Sequence, residues 1–364
     1  MPIKCDVLVV GGGPAGLSTA LLLSKRGYST IILEKEKRCG PQFTKYDITE
    51  GNKLREILKE LNIKPNKILF KSEWISPKNN FILDSKIEDY YFKRGPENDS
   101  IENLLLEKLN KDKVFFNSKI ISTETKKKKI ISVKIRRDNK QIQIQPKNVI
   151  SAEGPSSDFR ERLKLKVNYF SKFNGNGIVF KTIKNDIIPH TRIYLNQEIA
   201  PGGYVYSGSV SNESFYCSVT DATLIKNTSS KESLKYFLDT KVNDKQKIKN
   251  YFEGFGISGI QEVQVENTIF VGGAALFYDP FLGYGMNYAL ESSYYAAKSI
   301  ENDDYNIYNE YANRVQQDFK KSFEAREIFR NANNKFYDNL IKAFNGEYQN
   351  SDENIEKILS LFNE

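Results

Sequence analysis

With 364 residues the chain can bury a substantial core and form two or three packed subdomains. It is 39% hydrophobic and 27% charged, and no run approaches the ~20 apolar residues of a membrane-spanning helix, so we expect a water-soluble protein. Its net charge of +8 suits contact with an acidic protein or an anionic lipid surface, although a solvated basic surface is the simpler explanation. No motif accompanies the charge that would predict nucleic-acid binding.

The first residues predict a strand, a helix and a second strand. The apolar strand Asp6–Val10 begins so soon after Met1 that no signal peptide is expected, which favours a cytoplasmic location. A glycine turn follows, then a helix from about Ala15 to Arg26, and Ser29–Leu33 forms the second strand. The three elements make one βαβ unit of the length expected for nucleotide binding.

The middle of the chain mixes helices with groups of strands. Leu54–Leu61 and Ile101–Leu109 are predicted helices, and strands fill the stretch from Phe70 to Phe92. Three further strands begin at Val114–Ile121 and end with Gln141–Ile150. The four lysines Lys126–Lys129 form the hairpin tip between the first two of these strands.

The second half of the chain begins with four β runs that predict an antiparallel sheet. They are Ile178–Ile183, Thr191–Leu195, Tyr204–Val210 and Phe215–Thr220. Thr268–Val271 then returns to a buried strand, and the chain is nearly all helical from Tyr288 onward. Asn350 is expected to cap a last amphipathic helix.

The glycine turn after the first strand carries the clearest chemical signal. Gly11, Gly13 and Gly16 fit G-x-G-x-x-G between a strand and a helix. The first glycine permits a tight turn, the second lets the backbone reach a pyrophosphate, and the third allows close packing of helix on strand. The helix N-terminus offers free N–H groups to phosphates, and Glu34 at the end of the second strand can accept hydrogen bonds from ribose hydroxyls. The pattern predicts a bound adenine dinucleotide.

The few cysteines and the single histidine limit the chemistry that the chain can perform. Cys5, Cys39 and Cys217 have no metal-ligand spacing, and their odd number argues against a disulfide scaffold. His190 is the only histidine, which excludes a histidine cluster on a metal. We therefore predict no metal site, and proton transfer must use tyrosine, cysteine, lysine, a carboxylate or water.

Roughly residues 1–300 resemble the flavoprotein superfamily that contains p-hydroxybenzoate hydroxylase and the geranylgeranyl reductases. Three motifs carry the resemblance: Asp6–Gly16 with Glu34, Asn148–Ser157 with Gly154, and Ile269–Ala275 followed by Asp279–Asn287. The resemblance implies an α/β fold with FAD as cofactor. A discontinuous Rossmann-type FAD-binding domain (1–75, 93–165 and 262–300) would join an antiparallel-sheet substrate domain (76–92 and 166–261) and a helical C-terminal region (301–364).

Two features are similar to the geranylgeranyl reductase branch of this superfamily. Cys39-Gly40 follows the Glu34 strand, where those enzymes have a Cys-Gly pair beside the flavin ring. Pro201–Tyr206 resembles part of their substrate motif, and in a strand Tyr204 and Tyr206 would point to the same face. The resemblance implies Cys39, Tyr204 and Tyr206 as catalytic residues.

The same resemblance implies the FAD contacts. These are Gly11, Gly13, Pro14, Ala15, Gly16, Glu34, Lys35, Cys39, Gly40, Arg94, Ile120, Gly154, Gly273, Gly283, Gly285 and Met286. The chain departs from the family at Glu153, which stands for an aspartate, and at Gly273, where the family has an aspartate that binds the ribityl chain. Loss of that carboxylate should weaken FAD binding by about 1.5–3 kcal/mol if nothing replaces it.

Each of the catalytic assignments has a structural alternative. Cys39 could be a small buried hydrophobic residue, Tyr204 and Tyr206 could be ordinary sheet packing, and Arg94 could form only a local ion pair.

The resemblance implies an FAD-dependent oxidoreductase that saturates carbon–carbon double bonds of isoprenoid lipids by hydride transfer and protonation. The expected partners are an isoprenoid lipid, an acidic electron donor such as a ferredoxin or transient NAD(P)H, and the membrane surface as a peripheral contact. Two alternatives stay open at the level of sequence: an FAD-dependent aromatic-ring monooxygenase on the same scaffold, and a flavin-free lipid-binding relative.

Overall fold

The computed structural model describes residues 1–51, 53–182, 187–223, 229–242 and 248–346. The strands are β1 (Ile3–Val10), β2 (Thr30–Leu33), β3 (Lys45–Glu50), β4 (Lys67–Ile75), β5 (Asn80–Arg94), β6 (Val114–Phe115), β7 (Ser118–Lys126), β8 (Lys129–Arg137), β9 (Lys140–Ser151), β10 (Val167–Lys181), β11 (Thr191–Tyr194), β12 (Tyr204–Val210), β13 (Glu213–Asp221), β14 (Ile248–Gln261), β15 (Gln264–Val265) and β16 (Thr268–Phe270). The α-helices are α1 (Pro14–Lys25), α2 (Leu54–Leu61), α3 (Ile101–Leu106), α4 (Asp158–Arg162), α5 (Ser230–Lys241), α6 (Met286–Glu301), α7 (Asn306–Asn331) and α8 (Asn334–Gly346). Short 3-10 turns cover Lys111–Lys113 and Gly272–Ala275.

The first sheet has a parallel core in the order β16-β9-β1-β2-β6. Its central strand β1 is apolar because it is covered on both faces, and Val7, Leu8 and Val9 are fully buried. Helix α1 packs between this sheet and α6. Strands β7 and β8 continue from β9 as an antiparallel meander. The predicted Rossmann-type unit is confirmed.

The second sheet, in the order β14-β10-β13-β12-β11-β4-β5-β3, lies beside the first. Its neighbours pair antiparallel, except that β11 runs parallel to β4. The predicted antiparallel-sheet domain is therefore confirmed with one parallel pair. Strands β3 and β4 belong to this sheet, although the predicted domain boundary assigns them to the cofactor domain.

Most of the predicted elements lie within a few residues of the observed ones. The helix Leu54–Leu61 and the strand Tyr204–Val210 agree at both ends. The Lys126–Lys129 tip is a tight hairpin, with Lys127 and Lys128 both at positive φ. The predicted strand Val114–Ile121 is instead divided between β6 and β7, because Asn117 adopts a left-handed turn.

Two long elements have no counterpart in the sequence-based prediction. Helix α5 is mainly polar, and its start is fixed by a capping box between Ser229 and Glu232. Strand β14 contains Gly254, Gly256 and Gly259, and glycine lowers strand propensity. The predicted strand end at Ile183 and the predicted helix after Asn350 lie outside the described residues.

The C-terminal helices complete the core. Helix α7 packs against α6, and α8 packs against β5 beside the second sheet. The predicted helical C-terminal region is thus confirmed as far as residue 346. In the described part of the chain, no helix is both long and apolar enough to cross a membrane.

Candidate active site

A cavity of about 610 Å³ lies between the two sheets and is lined from both sides. One part, which we call the glycine half, is lined by the glycine turn, the end of β2, the start of β7 and the Glu153-Gly154 turn. Side chains of the second sheet and of the loop before α6 line the other part, which we call the aromatic half. A volume of this size is typical of a small-molecule or cofactor site.

The turn between β1 and α1 needs glycine at two positions for packing. A Cβ on Gly11 would lie 2.2 Å from the carbonyl oxygen of Ala152, and Gly11 has φ +111°. A Cβ on Gly16 would lie 2.0 Å from the carbonyl oxygen of Gly11. At Gly13, in contrast, no atom lies within 4 Å of an added Cβ, so its backbone faces open space in the cavity.

The start of α1 and the side chain of Glu34 present hydrogen-bonding groups to the glycine half. Helix α1 has neither a side-chain cap nor an acidic residue in its first turn, and Pro14 and Ala15 line the cavity. Its free N–H groups therefore form an anion site. Glu34 is held by the N–H groups of Gly12 and Glu36, each at 2.9 Å, which leaves lone pairs on both carboxylate oxygens for further donors.

Almost all of the residues predicted to contact FAD line this one cavity. They are Gly11, Gly13, Pro14, Ala15, Glu34, Lys35, Gly40, Arg94, Ile120, Gly154, Gly273, Gly283, Gly285 and Met286. Gly16 lies behind the turn, where its role is packing. Cys39 is the other predicted contact that the cavity lining does not include.

Cys39 lies on the far side of the glycine turn, outside the cavity. Its Sγ would be 2.6 Å from a Cβ on Gly12, and the thiol is buried. Burial, reinforced by the nearby carboxylates of Glu34 and Glu102, raises the pKa of Cys39 to about 12. The structure thus packs the thiol as a neutral group beneath the turn and does not bring it to the predicted catalytic tyrosines.

Arg94 reaches the cavity but is held between two carboxylates. Its Nη1 lies 2.8 Å from Oδ2 of Asp47, and its Nε lies 2.5 Å from Oε1 of the buried Glu102. Burial opposes the charge, but Glu102 and Asp47 outweigh it and raise the pKa of Arg94. Burial likewise opposes the charge of Asp47, yet Lys45 and Arg94 lower its pKa to about 2. The cluster is a fixed set of charges at the border between the two halves.

Tyr204 and Tyr206 lie side by side in the aromatic half, as the strand alternation predicts. Their ring centroids are 6.1 Å apart. The Tyr204 hydroxyl donates to the carbonyl of Leu282, and the Tyr206 hydroxyl donates to the carbonyl of Tyr46 at 3.3 Å. Burial raises the pKa of both phenols well above the usual value, so each keeps its proton.

Most of the aromatic half was not found from the sequence. The further lining residues on this side are Phe173, Gly175, Thr191, Ile193, Cys217, Val219, Phe252, Gly254, Phe255, Tyr278, Leu282 and Tyr284. They come from four strands (β10, β11, β13 and β14) and one loop, so no local spacing connects them. The glycines inside β10 and β14 were an available signal, because an isolated glycine in a strand often marks close approach of another group.

Tyr278 occupies the space that three glycines leave free. Its ring atoms lie 3.0 Å from an added Cβ at Gly256, 3.1 Å at Gly273 and 2.6 Å at Gly285. A side chain at position 273 would therefore be crowded by this ring and by the Gly154-Pro155 turn, whose nearest atoms are 3.2 Å from the added Cβ. Tyr278 lines the cavity, and among the described residues no hydrogen bond engages its hydroxyl.

The residues of the glycine half fit FAD. The fit rests on the open backbone at Gly13 and Gly154, on the uncapped start of α1, and on the fixed carboxylate of Glu34. Together they offer N–H donors for a pyrophosphate and an acceptor for ribose hydroxyls. Within the described ranges, no group of three or more His, Cys, Asp or Glu residues could hold a metal ion.

Comparisons with known proteins agree with this site. Residues 4–63 match a family model described as an FAD binding domain. The chain is 27% identical to a digeranylgeranylglycerophospholipid reductase of Thermoplasma volcanium, over 92% of this chain and 90% of that protein. It is 26% identical to digeranylgeranylglycerophospholipid reductase 2 of Methanosphaera stadtmanae, over 94% and 92% of the two chains.

Solved structures show the same fold. A geranylgeranyl bacteriochlorophyll reductase-like protein of Thermoplasma acidophilum superimposes with a TM-score of 0.82 at 22% identity, covering 99% of this chain and 96% of that one. A flavin-dependent brominase superimposes with a TM-score of 0.69 at 16% identity, covering 95% and 94%.

The fold and the site define the class: the chain is an FAD-dependent oxidoreductase, and FAD is its cofactor. Within that class, the resemblance to the geranylgeranyl reductases that the sequence predicts is confirmed by the curated relatives and by the fold.

Proposed function

We propose that this enzyme saturates carbon–carbon double bonds in the prenyl chains of geranylgeranyl-type lipids. The observation that carries the proposal is the aromatic half of the cavity. Apart from Thr191, its lining between Phe173 and Tyr284 is apolar or aromatic. The charged residues Asp47 and Arg94, with Lys45 paired to Asp47, lie where it joins the glycine half. The names of the curated relatives support the same substrate class.

The apolar lining provides the binding energy that a prenyl chain requires. Burial of each CH₂ group contributes about 0.8 kcal/mol, so affinity grows with chain length and needs few polar contacts. Phe173 and Phe252 on the neighbouring strands β10 and β14 form one wall, and Ile193 and Val219 belong to the strands beyond. This wall also excludes water from the reacting bond.

An isolated double bond accepts hydride only if a proton is added as well, because no carbonyl group stabilises the extra charge. Reduced FAD supplies the hydride when it is bound. The rings of Tyr204 and Tyr206 are placed to stabilise positive charge that develops on the more substituted carbon. As neutral phenols they each carry a proton, which in this structure is donated to a backbone carbonyl, and we propose them as the acids of the cavity. Cys39 is a less suitable acid because its thiol lies outside the cavity.

We propose that the cofactor-lining residues bind FAD in the roles that the sequence predicts, with one addition. Gly13, Pro14 and Ala15 would hold the pyrophosphate and Glu34 the ribose. Tyr278 would hydrogen-bond the cofactor through its hydroxyl, in place of a carboxylate at Gly273. Its free hydroxyl and its contact with Gly273 and Gly285 support this role.

We propose an electron donor and a membrane contact from the net charge of the chain. The net charge of +8 favours association with an acidic donor such as a ferredoxin, and it favours peripheral contact with an anionic lipid surface. Both would weaken as the salt concentration rises.

The proposal is tested by mass spectrometry of a geranylgeranylated lipid after anaerobic incubation with the FAD-loaded enzyme and dithionite. We expect products that gain two hydrogen atoms for each reduced bond. Gly254→Leu should abolish the product, because the new side chain extends into open space in the aromatic half. Gly254→Ala is the matched control and should retain activity.

Two results would contradict the proposal. Unchanged lipid masses with bound, reducible flavin would exclude the lipid reductase activity. Oxygen-dependent NAD(P)H consumption with a compact aromatic compound would then favour the ring monooxygenase. Equal activity of Gly254→Leu and Gly254→Ala would show that the lipid chain does not occupy the aromatic half.

A further inference from the structure

Thr191 connects the aromatic half to a chain of hydrogen bonds that leads away from it. Thr191 lines the cavity at the start of β11. Its Oγ1 lies 2.5 Å from the hydroxyl of Tyr91 and donates to Oδ2 of Asp89 at 3.1 Å. A single residue therefore lines the cavity and, through its hydroxyl, contacts a carboxylate behind the cavity wall.

Asp89 lies where this chain approaches solvent. It is half-buried on β5 and pairs in register with the exposed Glu50 on β3. Burial, with the neighbouring charge of Glu50, raises the pKa of Asp89 to about 7. The carboxyl group is thus able to exchange protons near neutral pH, which an ordinary aspartate is not.

Among the side chains that the structure describes around Asp89, none carries a charge that would hold it permanently ionised. Glu50 opposes its ionisation, and Tyr91 and Tyr284 are neutral phenols that face it. Lys67 lies with Nζ 5.7 Å from the centre of the Tyr91 ring. No cation forms an ion pair with Asp89 in the part of the chain that the structure describes. Burial raises the pKa of Tyr284 most, and the nearby Glu50, Tyr204 and Asp89 raise it further, so this phenol lies near both Asp89 and Tyr204.

We propose that Asp89 and Thr191 form the route by which protons pass from solvent to the aromatic half of the cavity. This inference rests on the proposed lipid reduction, in which one hydride and one proton add across each double bond. Two electrons leave with the hydride from the reduced flavin, and the proton comes from solvent. Asp89 takes up a proton from water and donates it to the Thr191 hydroxyl. Thr191 in turn donates its own hydroxyl proton into the cavity. There it restores the neutral state of the tyrosine that has given its proton to the lipid. Asp89 and Thr191 are positioning residues in this scheme.

The route is tested with Asp89→Asn and Thr191→Val, each compared with Asp84→Asn. Asp84 is the matched control, since it is an exposed carboxylate on the same strand that pairs with Lys71. The measurement is the rate of lipid reduction in a single turnover of dithionite-reduced enzyme, recorded between pH 5 and pH 9 (about two units either side of the Asp89 pKa).

In the wild type we expect the rate to fall as the pH rises through about 7, because Asp89 loses the proton that it delivers. Asp89→Asn should remove this inflection and lower the rate at acidic pH by about 10²-fold, the scale of one proton-transfer group. Thr191→Val should lower the rate similarly while FAD affinity is unchanged. Wild-type rates and profiles in both variants would overturn the route.

A second measurement does not depend on turnover. A carboxyl group whose pKa is higher in the folded state stabilises the fold most below its unfolded pKa, and this contribution is lost as the pH rises to the folded pKa. The thermal stability of Asp89→Asn relative to the wild type should therefore increase between pH 4 and 7 and then level off. A constant difference over this range would contradict the role given to Asp89.

The outcomes separate the two proposals. A wild-type enzyme that binds FAD but leaves the lipid unchanged would overturn the proposed function. An active wild type, together with normal activity in both variants, would overturn the proton route alone.

Discussion

The two halves of the cavity contribute different parts of the polypeptide to binding. The glycine half presents backbone: the open Gly13 and Gly154, the N–H groups at the start of α1, and one carboxylate fixed by two amides. The aromatic half presents side chains from neighbouring strands of the second sheet and the loop before α6. In the proposed function, the first binds a polar group of fixed shape by hydrogen bonds, and the second binds an apolar chain through buried apolar area.

Because of this difference, the two halves should respond differently to substitution. Backbone contacts demand a particular conformation, so a single methyl group in the glycine turn has a large effect. Apolar contacts are distributed over many side chains, so removal of one side chain from the aromatic half should have a smaller effect. A larger side chain that fills the cavity is the exception. The charged cluster of Arg94, Asp47 and Glu102 at the border should be the most sensitive of all.

The largest effect on stability is expected for Arg94→Met, which leaves the carboxylates of Asp47 and the buried Glu102 without their partner. Removal of one member of a buried ion cluster costs about 3–5 kcal/mol. Urea unfolding at neutral pH measures the loss. Arg55→Met, which removes an exposed ion pair with Glu88, is the control and should change little.

The stability of Arg94→Met can also be tested as a function of pH. Asp47 has a lowered pKa in the folded state, so it contributes stability above its unfolded pKa of about 4, and this contribution is lost as the pH falls toward 2. Arg94→Met should therefore show a smaller loss of stability on acidification than the wild type. An equal loss in both proteins would contradict the ion cluster.

The second effect is expected for Gly11→Ala. Its Cβ would lie 2.2 Å from a backbone oxygen at φ +111°, so strain and overpacking should cost about 2–4 kcal/mol and FAD binding should be lost. Thermal unfolding and flavin content measure the two consequences. Gly254→Ala, where no atom lies within 4 Å of the added Cβ, should retain both stability and flavin.

A third, smaller effect separates packing from binding within the same turn. Gly13 has an extended conformation (φ −82°, ψ 179°) that alanine adopts without strain, and its Cβ would point into the open cavity. We expect Gly13→Ala to fold normally but to bind FAD about 10-fold more weakly, because the methyl group displaces the cofactor. Fluorescence titration with FAD measures the affinity. A normal affinity would show that the cofactor does not approach Gly13.

The smallest effect is expected for Tyr278→Phe, which keeps the ring among the glycines and removes only the hydroxyl. Loss of one hydrogen bond should weaken FAD binding about 2- to 10-fold, equivalent to about 0.5–1.5 kcal/mol. Tyr284→Phe is the control, since Tyr284 also lines the cavity. Equal affinities for the wild type and Tyr278→Phe would remove Tyr278 from the cofactor site.

The same difference explains what could be predicted from the sequence. The glycine half follows from local order along the chain, because Gly11 to Gly16 and Glu34 belong to one βαβ unit with a fixed geometry. Tyr204 and Tyr206 were predicted because alternate residues of one strand share a face. Thr191 and Phe252 were not, because they reach the site only through the pairing of strands far apart in sequence. Tyr278 was not, because it lies in a loop that contacts Gly256 of β14 only in the folded chain. Cys39 and Gly40 are adjacent in sequence, yet only Gly40 is part of the cavity lining.

The most direct test of the account is a crystal structure of the protein grown with FAD and a geranylgeranylated lipid. We expect the pyrophosphate at the start of α1 beside Gly13, and the prenyl chain against Phe252 and Tyr204 in the same cavity. A cofactor bound away from the glycine turn, or a prenyl chain bound outside the aromatic half, would contradict it.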